Sequence, residues 1–247
     1  MPRYSLDGGE RKRSPLRFLR IFLEIPIIVF SIYIAFLVDE WDKSKTMAIT
    51  EKKYLRELLE EVKMNRDELR ADQDERRKQI ALLEAMLENS IRQVDQDTLR
   101  MAMNELLNLR IYSPTNAVYE DLISSGNLNL LSSDSLRSEL IEYRGRLSRT
   151  PLTEQSDLDV IEKQIQPYLI QKQVFSLLEP YADVKGIAIS QDQKDRIIRV
   201  LLNDRTFIDL VYLRRHSIGQ VLWFETPMQW NLRNMQAILE AELEAAD

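Results

Sequence analysis

Side chains that commonly perform catalysis are scarce in this sequence. It has a single histidine, His216, and no cysteine, which excludes thiol catalysis, disulfides and cysteine-based zinc sites. It contains no P-loop, no G-x-S-x-G, no H-E-x-x-H and no dinucleotide glycine pattern. Acidic clusters, such as those that include Asp72 and Asp157, are usually solvated charge on exposed helices rather than metal sites. The sequence therefore predicts a non-enzymatic protein without metal or cofactor.

The C-terminal aromatic residues and the histidine have ordinary structural interpretations. His216 follows two arginines near the predicted end of a helix, where it serves as a surface or capping residue; a pH switch is the alternative. Trp223, Phe224 and Trp230 bracket Pro227, and we expect them to fill the core between two helices. A peptide- or ligand-binding groove is the alternative for these aromatic side chains.

One carboxylate occupies a position where charge is costly. Glu24 lies about one turn inside an apolar run, and such a group usually faces protein or water. Helical spacing places it on a stripe with small residues, which let helix backbones approach closely. The stripe consists of Arg17, Arg20, Glu24, Ile28, Ser31, Ala35 and Val38. Three interpretations follow: pairing with Arg20 at the interface, packing in a homo-oligomer, or an ion pathway lined by Glu24.

The apolar run itself predicts a transmembrane helix. It extends from Phe18 to Val38, and at about 1.5 Å per residue it spans roughly 30 Å, the thickness of a bilayer core. No small-residue cleavage site follows it, which favours an uncleaved signal anchor. Its apolar residues face every side, which argues against a soluble core helix. Trp41 follows as an interfacial anchor, and the lipid bilayer is the first predicted partner.

Charge is unevenly distributed along the chain. Residues 1–20 contain six basic and two acidic side chains, a net charge of +4. The rest of the chain therefore has a net charge of −10, since the total is −6. The acidic remainder argues against nucleic acid as a partner, and the basic tail favours anionic headgroups. The positive charge before the run orients the N-terminus inside. We expect a bacterial inner-membrane protein whose C-terminal domain lies in the periplasm.

Composition predicts an all-α protein. Glycine is scarce, helix-forming residues dominate, and no stretch alternates apolar and polar residues like a half-buried strand. The predicted architecture is one N-terminal transmembrane helix, continuous with a long stalk helix, and a multi-helix aqueous domain. Its parts are a basic cytoplasmic tail at 1–15, the anchor at 16–41, a stalk helix or helical hairpin at 42–112 and the helical domain at 113–247.

The stalk carries a seven-residue repeat. Leu55, Val62, Leu69, Arg76 and Leu83 recur at this spacing, and no proline or glycine occurs from Ile27 to Ser113. Residues 63–79 are almost wholly charged or polar. We prefer a solvated helix in an intramolecular hairpin; an intermolecular coiled coil is the alternative.

Capping residues predict the helix boundaries of the body. Ser113-Pro114 favours a helix start, Gly126 a helix end, and Ser133 another start. Ser190 and Gln193 form a predicted capping box. Further helices are expected near 154–178, 204–224 and 228–245. The turn Ser124-Ser125-Gly126-Asn127 has a predicted structural role, with backbone donation to a partner as the alternative.

Two segments resemble an uncharacterised bacterial family of single-pass membrane proteins, a domain of unknown function. The first begins with a glutamate in the membrane run, has alanine eleven residues later and ends in tryptophan. Ser31 stands where the family has glycine, and Leu23 replaces the glycine before the glutamate. The matching residues are Glu24, Ala35 and Trp41, followed by Glu51, Tyr54 and Leu55 of a Glu-x-x-Tyr-Leu element.

The second segment, Val118 to Tyr143, is similar to the family's Tyr-Glu-x-Leu-x-Ser-Ser-Gly-x-Leu signature. Its matching residues are Tyr119, Glu120, Leu122, Ser124, Ser125, Gly126, Leu128, Leu136, Arg137 and Tyr143. The resemblance covers roughly residues 18–145. It implies no activity, and it implies that Glu24 and the small-residue face are features of the anchor.

The functional prediction is a membrane-anchored helical module that acts by self-association and by binding an unknown protein partner at the membrane. The alternative is an oligomeric ion channel or ion sensor with Glu24 in the membrane path.

Overall fold

The computed structural model describes residues 15–88, 93–175 and 189–245, with side chains from residue 27 onward. Helices are the only regular secondary structure in these ranges, which confirms the all-α class. The basic tail predicted at 1–15 lies, apart from Pro15, outside them. The chain divides into two compact units, Met1–Glu51 and Lys52–Asp247.

The helices differ widely in length. In chain order they are α1 (Pro15–Glu88), α2 (Gln96–Leu107), α3 (Ala117–Ser124), α4 (Asp134–Leu147), α5 (Thr150–Val160), α6 (Gln166–Gln171), α7 (Gln191–Leu202) and α8 (Arg205–Ala245). A 3₁₀ turn, Asn127–Leu130, follows α3, and a π-helical turn, Ile161–Ile165, joins α5 to α6.

The first unit exposes apolar side chains along α1. All ten large apolar residues between Ile27 and Val38 are exposed, each by between 44% and 65% of its surface. Within the ranges that the structure describes, no helix has an apolar stretch long enough to cross a membrane.

The second unit has two apolar clusters. The first core cluster joins α1, α3 and α4 to the C-terminal half of α8, and the second joins α1, α2, α6 and α7 to its N-terminal half. Members of the first include Leu58, Leu69, Leu122, Leu140, Met228, Leu232, Met235 and Leu239. Members of the second include Leu83, Met86, Met103, Leu169, Ile198, Phe207, Val211 and Ile218. Both clusters thus depend on α1 and α8.

The seven-residue repeat of α1 lies in the core of the chain itself. Leu55, Val62, Leu69 and Leu83 belong to the two clusters and are at most 5% exposed, and Arg76 is fully buried between them. The prediction that the whole 63–79 stretch is exposed to solvent is wrong. Its buried polar residues are Asn65, Gln73, Arg76 and Gln79, each at most 4% exposed.

A single helix spans Pro227, so the predicted division into helices near 204–224 and 228–245 is wrong. Pro227 lacks an N–H and crowds the carbonyl of the residue four positions earlier, which normally favours a helix break. Here buried residues on both sides, including Val221 and Met228, face α4 and α5 on one continuous stripe. Packing on both sides of the proline keeps α8 helical.

The predicted helix start at Ser113-Pro114 is also wrong, because α3 begins at Ala117. The carboxylate of Glu61 on α1 accepts a hydrogen bond from the backbone N–H of Val118, at 2.7 Å. A side chain from another helix therefore satisfies the first turn of α3, and residues 108–116 form no regular secondary structure.

A proline also explains the π-helical turn within the predicted helix near 154–178. Pro167 cannot donate to the carbonyl four residues before it, and in the wider turn Gln166 N–H donates to Ile161 O instead. The helix continues only to Gln171, and Gln173 follows with a left-handed φ of 59°.

Other local predictions are confirmed. The hydroxyl of Ser133 accepts the N–H of Leu136 at the start of α4. Ser190 and Gln193 form the capping box of α7, and Gly126 ends the α3 turn with a φ of +72°.

Glycine-to-alanine substitutions test the local backbone. Gly145 and Gly219 lie in helices, and no described atom beyond the helix backbone lies within 4 Å of an added Cβ. We expect Gly145→Ala and Gly219→Ala each to raise the free energy of unfolding by about 0.5–1 kcal/mol, because alanine loses less backbone entropy. Gly126→Ala should lower it by about 1 kcal/mol, because a Cβ is disfavoured at positive φ. Thermal unfolding of the full chain, followed by circular dichroism, measures all three; a loss at all three positions contradicts this description.

Candidate functional site

The second unit contains a layer of charged side chains packed beside its two apolar clusters. We call it the charge layer, and it consists of Asp72 and Arg76 of α1, Glu154 and Asp157 of α5, and Arg214 and Glu225 of α8. Both arginines and Glu225 are fully buried, and Asp157 is 1% exposed. Burial of charge is costly without partners, so the contacts of each group decide what the layer does.

Arg76 is the centre of the first half of the layer. Its Nε donates to Asp72 Oδ2 at 2.7 Å and its Nη2 donates to the carbonyl of Arg110 at 2.9 Å. Glu225 Oε1 lies 3.2 Å from the same Nε, and Glu154 Oε1 lies 3.9 Å from Nη2. Three carboxylates therefore surround one guanidinium.

Glu154 binds the irregular segment, residues 108–116, that precedes α3. Its Oε1 accepts the backbone N–H of Tyr112 at 2.8 Å. Burial raises the pKa of Glu154, and the bond from Tyr112 and the charge of Arg76 oppose this rise. The Tyr112 hydroxyl lies 3.2 Å from that of Tyr143, whose pKa burial raises to about 12.

Glu225 is the least satisfied member of the charge layer. Neither of its carboxylate oxygens has a hydrogen bond within the described part of the chain. Arg76 Nε is close, but its single N–H is directed to Asp72. Burial raises the pKa of Glu225 to about 8; Arg76 opposes the rise, and the carboxylates of Asp72 and Glu154 add to it.

The raised pKa links the stability of the fold to pH. Folded Glu225 keeps its proton up to about pH 8, whereas an exposed glutamate loses it near 4.5. Stability from the neutral carboxyl is therefore complete below about pH 4.5 and is lost as the pH rises through about 8.

The second half of the layer is a buried ion pair between Arg214 and Asp157. Arg214 Nη1 binds Asp157 Oδ1, which also accepts the hydroxyl of Ser217 at 2.6 Å. The remaining nitrogens of Arg214 donate to the carbonyls of Leu106 and Asn108, at 3.2 and 2.7 Å. This pair thus fastens α8 to α5 and to the end of α2.

The charge layer consists of carboxylates around two buried arginines. Among the described residues, no group of three or more histidine or acidic side chains is placed to hold one. The prediction that Asp72 and Asp157 are solvated is wrong, because each pairs with a buried arginine. One signal for this layer was present in the sequence, since Arg76 occupies a core position of the seven-residue repeat.

A groove lies on the outer face of α8, and we call it the α8 groove. It has a volume of about 390 Å³ and is lined by Thr153 of α5 with Arg215, His216, Gly219, Gln220, Trp223 and Phe224 of α8. Trp223 and Trp230 are 77% and 60% exposed, so the prediction that they fill the core is wrong. A continuous helix places these residues, seven apart, on the face opposite Val221, Glu225 and Met228.

His216 lies on the surface as predicted, but in the middle of α8 rather than near a helix end. Its Nε2 is 3.1 Å from the side-chain amide nitrogen of Gln220, on the next turn. Arg215 beside it binds Glu84 of α1, with its Nε 2.9 Å from Oε1. The groove therefore combines an aromatic wall with a polar wall.

The predicted membrane-helix residues are only partly described. The side chains of Arg20 and Glu24 lie outside the described residues, so their pairing, packing or pore-facing roles stay predictions. Ser31 and Ala35 are exposed, and the hydroxyl of Ser31 donates to Ile27 O at 2.7 Å. Trp41 is 67% exposed, and the ammonium of Lys45 lies 5.4 Å from its ring centre.

The polar groups of the Ser124–Asn127 turn form hydrogen bonds with residues of α3 and α1. The hydroxyls and amides of Ser124 and Ser125 are directed to the end of α3, with Ser125 Oγ 2.6 Å from Asp121 O. Gly126 N–H donates to Ile123 O, and Asn127 donates to the hydroxyl of Tyr54 at 3.1 Å. Partner binding by this turn stays a prediction.

Comparison of the chain with protein-family models, curated proteins and solved structures found no match. The family resemblance of the two segments stays a prediction from their residues.

Neighbouring arginines on α8 allow a matched test of the charge layer. Arg214→Met removes the cation that binds buried Asp157 Oδ1, and we expect it to lower the free energy of unfolding by about 3–5 kcal/mol. Arg215→Met breaks a partly exposed pair with Glu84 and should cost less than about 1 kcal/mol. Urea unfolding of the full chain measures both.

A double variant separates loss of a partner from loss of packing. Arg214→Met with Asp157→Leu removes both charges and should recover much of the stability lost in the single variant. Equal costs for Arg214→Met and Arg215→Met would contradict the role assigned to the buried pair.

Proposed function

We propose that this protein is a non-enzymatic module that attaches to a lipid bilayer through α1 and acts by self-association and partner binding at the membrane. The observation that carries the proposal is the apolar collar of α1. It consists of Ile27, Ile28, Val29, Phe30, Ile32, Tyr33, Ile34, Phe36, Leu37 and Val38, all exposed.

The apolar collar surrounds the helix on every side. A water-facing helix normally has one apolar stripe, whereas an all-round apolar surface is typical of a helix covered by lipid or protein. Twelve residues rise about 18 Å, and the apolar run of the sequence continues back to Phe18. Burial of this surface stabilises attachment by roughly 25 cal/mol for each Å² removed from water.

Residues that follow the collar suit a membrane–water interface. Trp41 is exposed beside the ammonium of Lys45, and Lys43 pairs with Asp39 at 2.7 Å. Aromatic and cationic side chains are enriched at that depth. The basic residues before Phe18 support a bacterial inner membrane, a cytoplasmic N-terminus and a periplasmic body.

The proposed self-association uses the small residues of the collar. Ser31 and Ala35 interrupt the large side chains one turn apart, where two helix backbones can approach. The hydroxyl of Ser31 is satisfied by Ile27 O and does not need water. Membership in the uncharacterised family that the anchor resembles is part of the proposal, since that family has the same small positions.

Partner binding is assigned to the α8 groove. Trp223 offers a large exposed aromatic surface beside the side chains of Arg215 and Gln220. Aromatic residues in a concave surface with polar neighbours are typical of binding sites for peptide side chains. The proposed partner is a protein segment that inserts an apolar side chain there.

Membrane attachment is tested by flotation with vesicles of phosphatidylethanolamine and phosphatidylglycerol. We expect the full chain to float, and Phe30→Glu with Ile34→Glu to reduce the floating fraction at least about tenfold, because each buried charge costs about 2.5–3.5 kcal/mol. The matched control is Met47→Glu with Ile49→Glu, which changes exposed apolar residues of α1 beyond the collar. If the two double variants float to the same extent, attachment through the collar is contradicted.

Self-association is tested by the native mass of the full chain in detergent. We expect a discrete oligomer that Ser31→Leu converts to monomer, because leucine separates the backbones at the small-residue face. Val29→Leu changes a large collar residue and should leave the mass unchanged. A monomer for the unsubstituted chain would refute self-association through this face.

A further inference from the structure

We propose that the proton on Glu225 sets the bend of α8 at Pro227 and thereby the shape of the α8 groove. This inference concerns the regulation of the groove, and it rests on the proposed function only for its biological use. It depends on three features of the structure: an overcrowded guanidinium, a proline inside a helix, and a groove that ends beside that proline.

The first feature is the imbalance of charge around Arg76. Its guanidinium faces Asp72 and Glu154 as well as Glu225, and the carboxylates of the first two already accept N–H groups. Glu225 is fully buried without a hydrogen bond in the described structure. A neutral carboxyl is tolerated there, whereas an ionised one adds a third negative charge around a single cation.

Other titratable groups are placed near this half of the layer. From α5 and α8, Asp157 and Arg214 bind each other, so neither compensates Glu225. The irregular segment 108–116 contributes Tyr112, and α4 contributes Tyr143 and Glu139. The carboxylate of Glu139 accepts hydrogen bonds from the amides of Asn231 and Asn234 on α8.

The second feature is the weak point of α8. Pro227 has no N–H, so the carbonyl of Trp223 lacks its usual partner within the helix, and the proline ring crowds that carbonyl. Helices bend at such positions. When Glu225 releases its proton to water, repulsion from Asp72 and Glu154 acts only two residues from this point.

The third feature connects the bend to the groove. Trp223 and Phe224 form the aromatic wall of the α8 groove, and Thr153 of α5 lies across from them. Trp223 and Phe224 lie four and three residues before Pro227, on the turn that the proline ring crowds, so we infer that a change in bend there moves the aromatic wall relative to α5. Loss of one buried proton therefore changes the width of the groove.

The test follows Trp223 by ¹⁹F NMR in the full chain with 5-fluorotryptophan, in detergent, from about pH 5.5 to about pH 9.5. Trp41→Phe and Trp230→Phe leave Trp223 as the single tryptophan. We expect one transition of the Trp223 resonance near pH 8. Glu225→Gln, which mimics the protonated form, should abolish it, and Pro227→Ala should reduce its amplitude because the restored N–H stiffens α8.

Two further variants make the result decisive. His216 lines the same groove, and His216→Asn should leave the transition in place; its loss in that variant would overturn the proposal. Asp72→Asn reduces the charge around Arg76 and should move the transition to lower pH. This variant decides the question if Glu225→Gln does not fold. No transition in the unsubstituted chain, or one that persists in Glu225→Gln, also overturns the proposal, and neither result depends on membrane attachment.

Discussion

Two guanidinium groups without access to water determine how the second unit is assembled. Arg76 and Arg214 each require acceptors from several elements, because a buried charge without hydrogen bonds is far costlier than a neutral side chain. Their acceptors come from α1, α5 and the segment between α2 and α3. Few alternative packings of α8 satisfy both arginines together, so the charge layer selects one register for the helices around it.

The same demand explains the irregular segment 108–116. Its backbone forms no helix, yet buried side chains hold it at intervals: Glu154 binds Tyr112 N–H, and Asn65 binds both backbone groups of Thr115. Polar residues of α1 and α5 thus replace the hydrogen bonds that a helix would have formed internally. This segment in turn supplies the carbonyls that both arginines need, so the charge layer and the segment stabilise each other.

Much of the fold could be predicted from local chemistry, and the parts that could not depend on distant residues. Local residues alone predict the helix caps at Ser133 and Ser190 and the glycine turn at Gly126. The start of α3 depends on Glu61, more than fifty positions earlier, so no local pattern reveals it. Pro227 breaks helices by its own chemistry, and only core contacts on both sides of it override that preference. For the charge layer only Arg76, at a core position of the seven-residue repeat, gave a signal, because the acidic partners look solvated until the fold brings them to it.

The contribution of α8 to both core clusters has a consequence for synthesis of the protein. Its N-terminal half completes the second core cluster and its C-terminal half completes the first, as far as Leu239. Chains generally fold from the N-terminus as they leave the ribosome. Here the second cluster cannot close before Ile218 has been synthesised, nor the first before Leu239, and until then the core-facing residues of α1 stay uncovered. Apolar surface that stays uncovered on a partly synthesised chain favours aggregation, so the length of this interval limits how efficiently the second unit can fold.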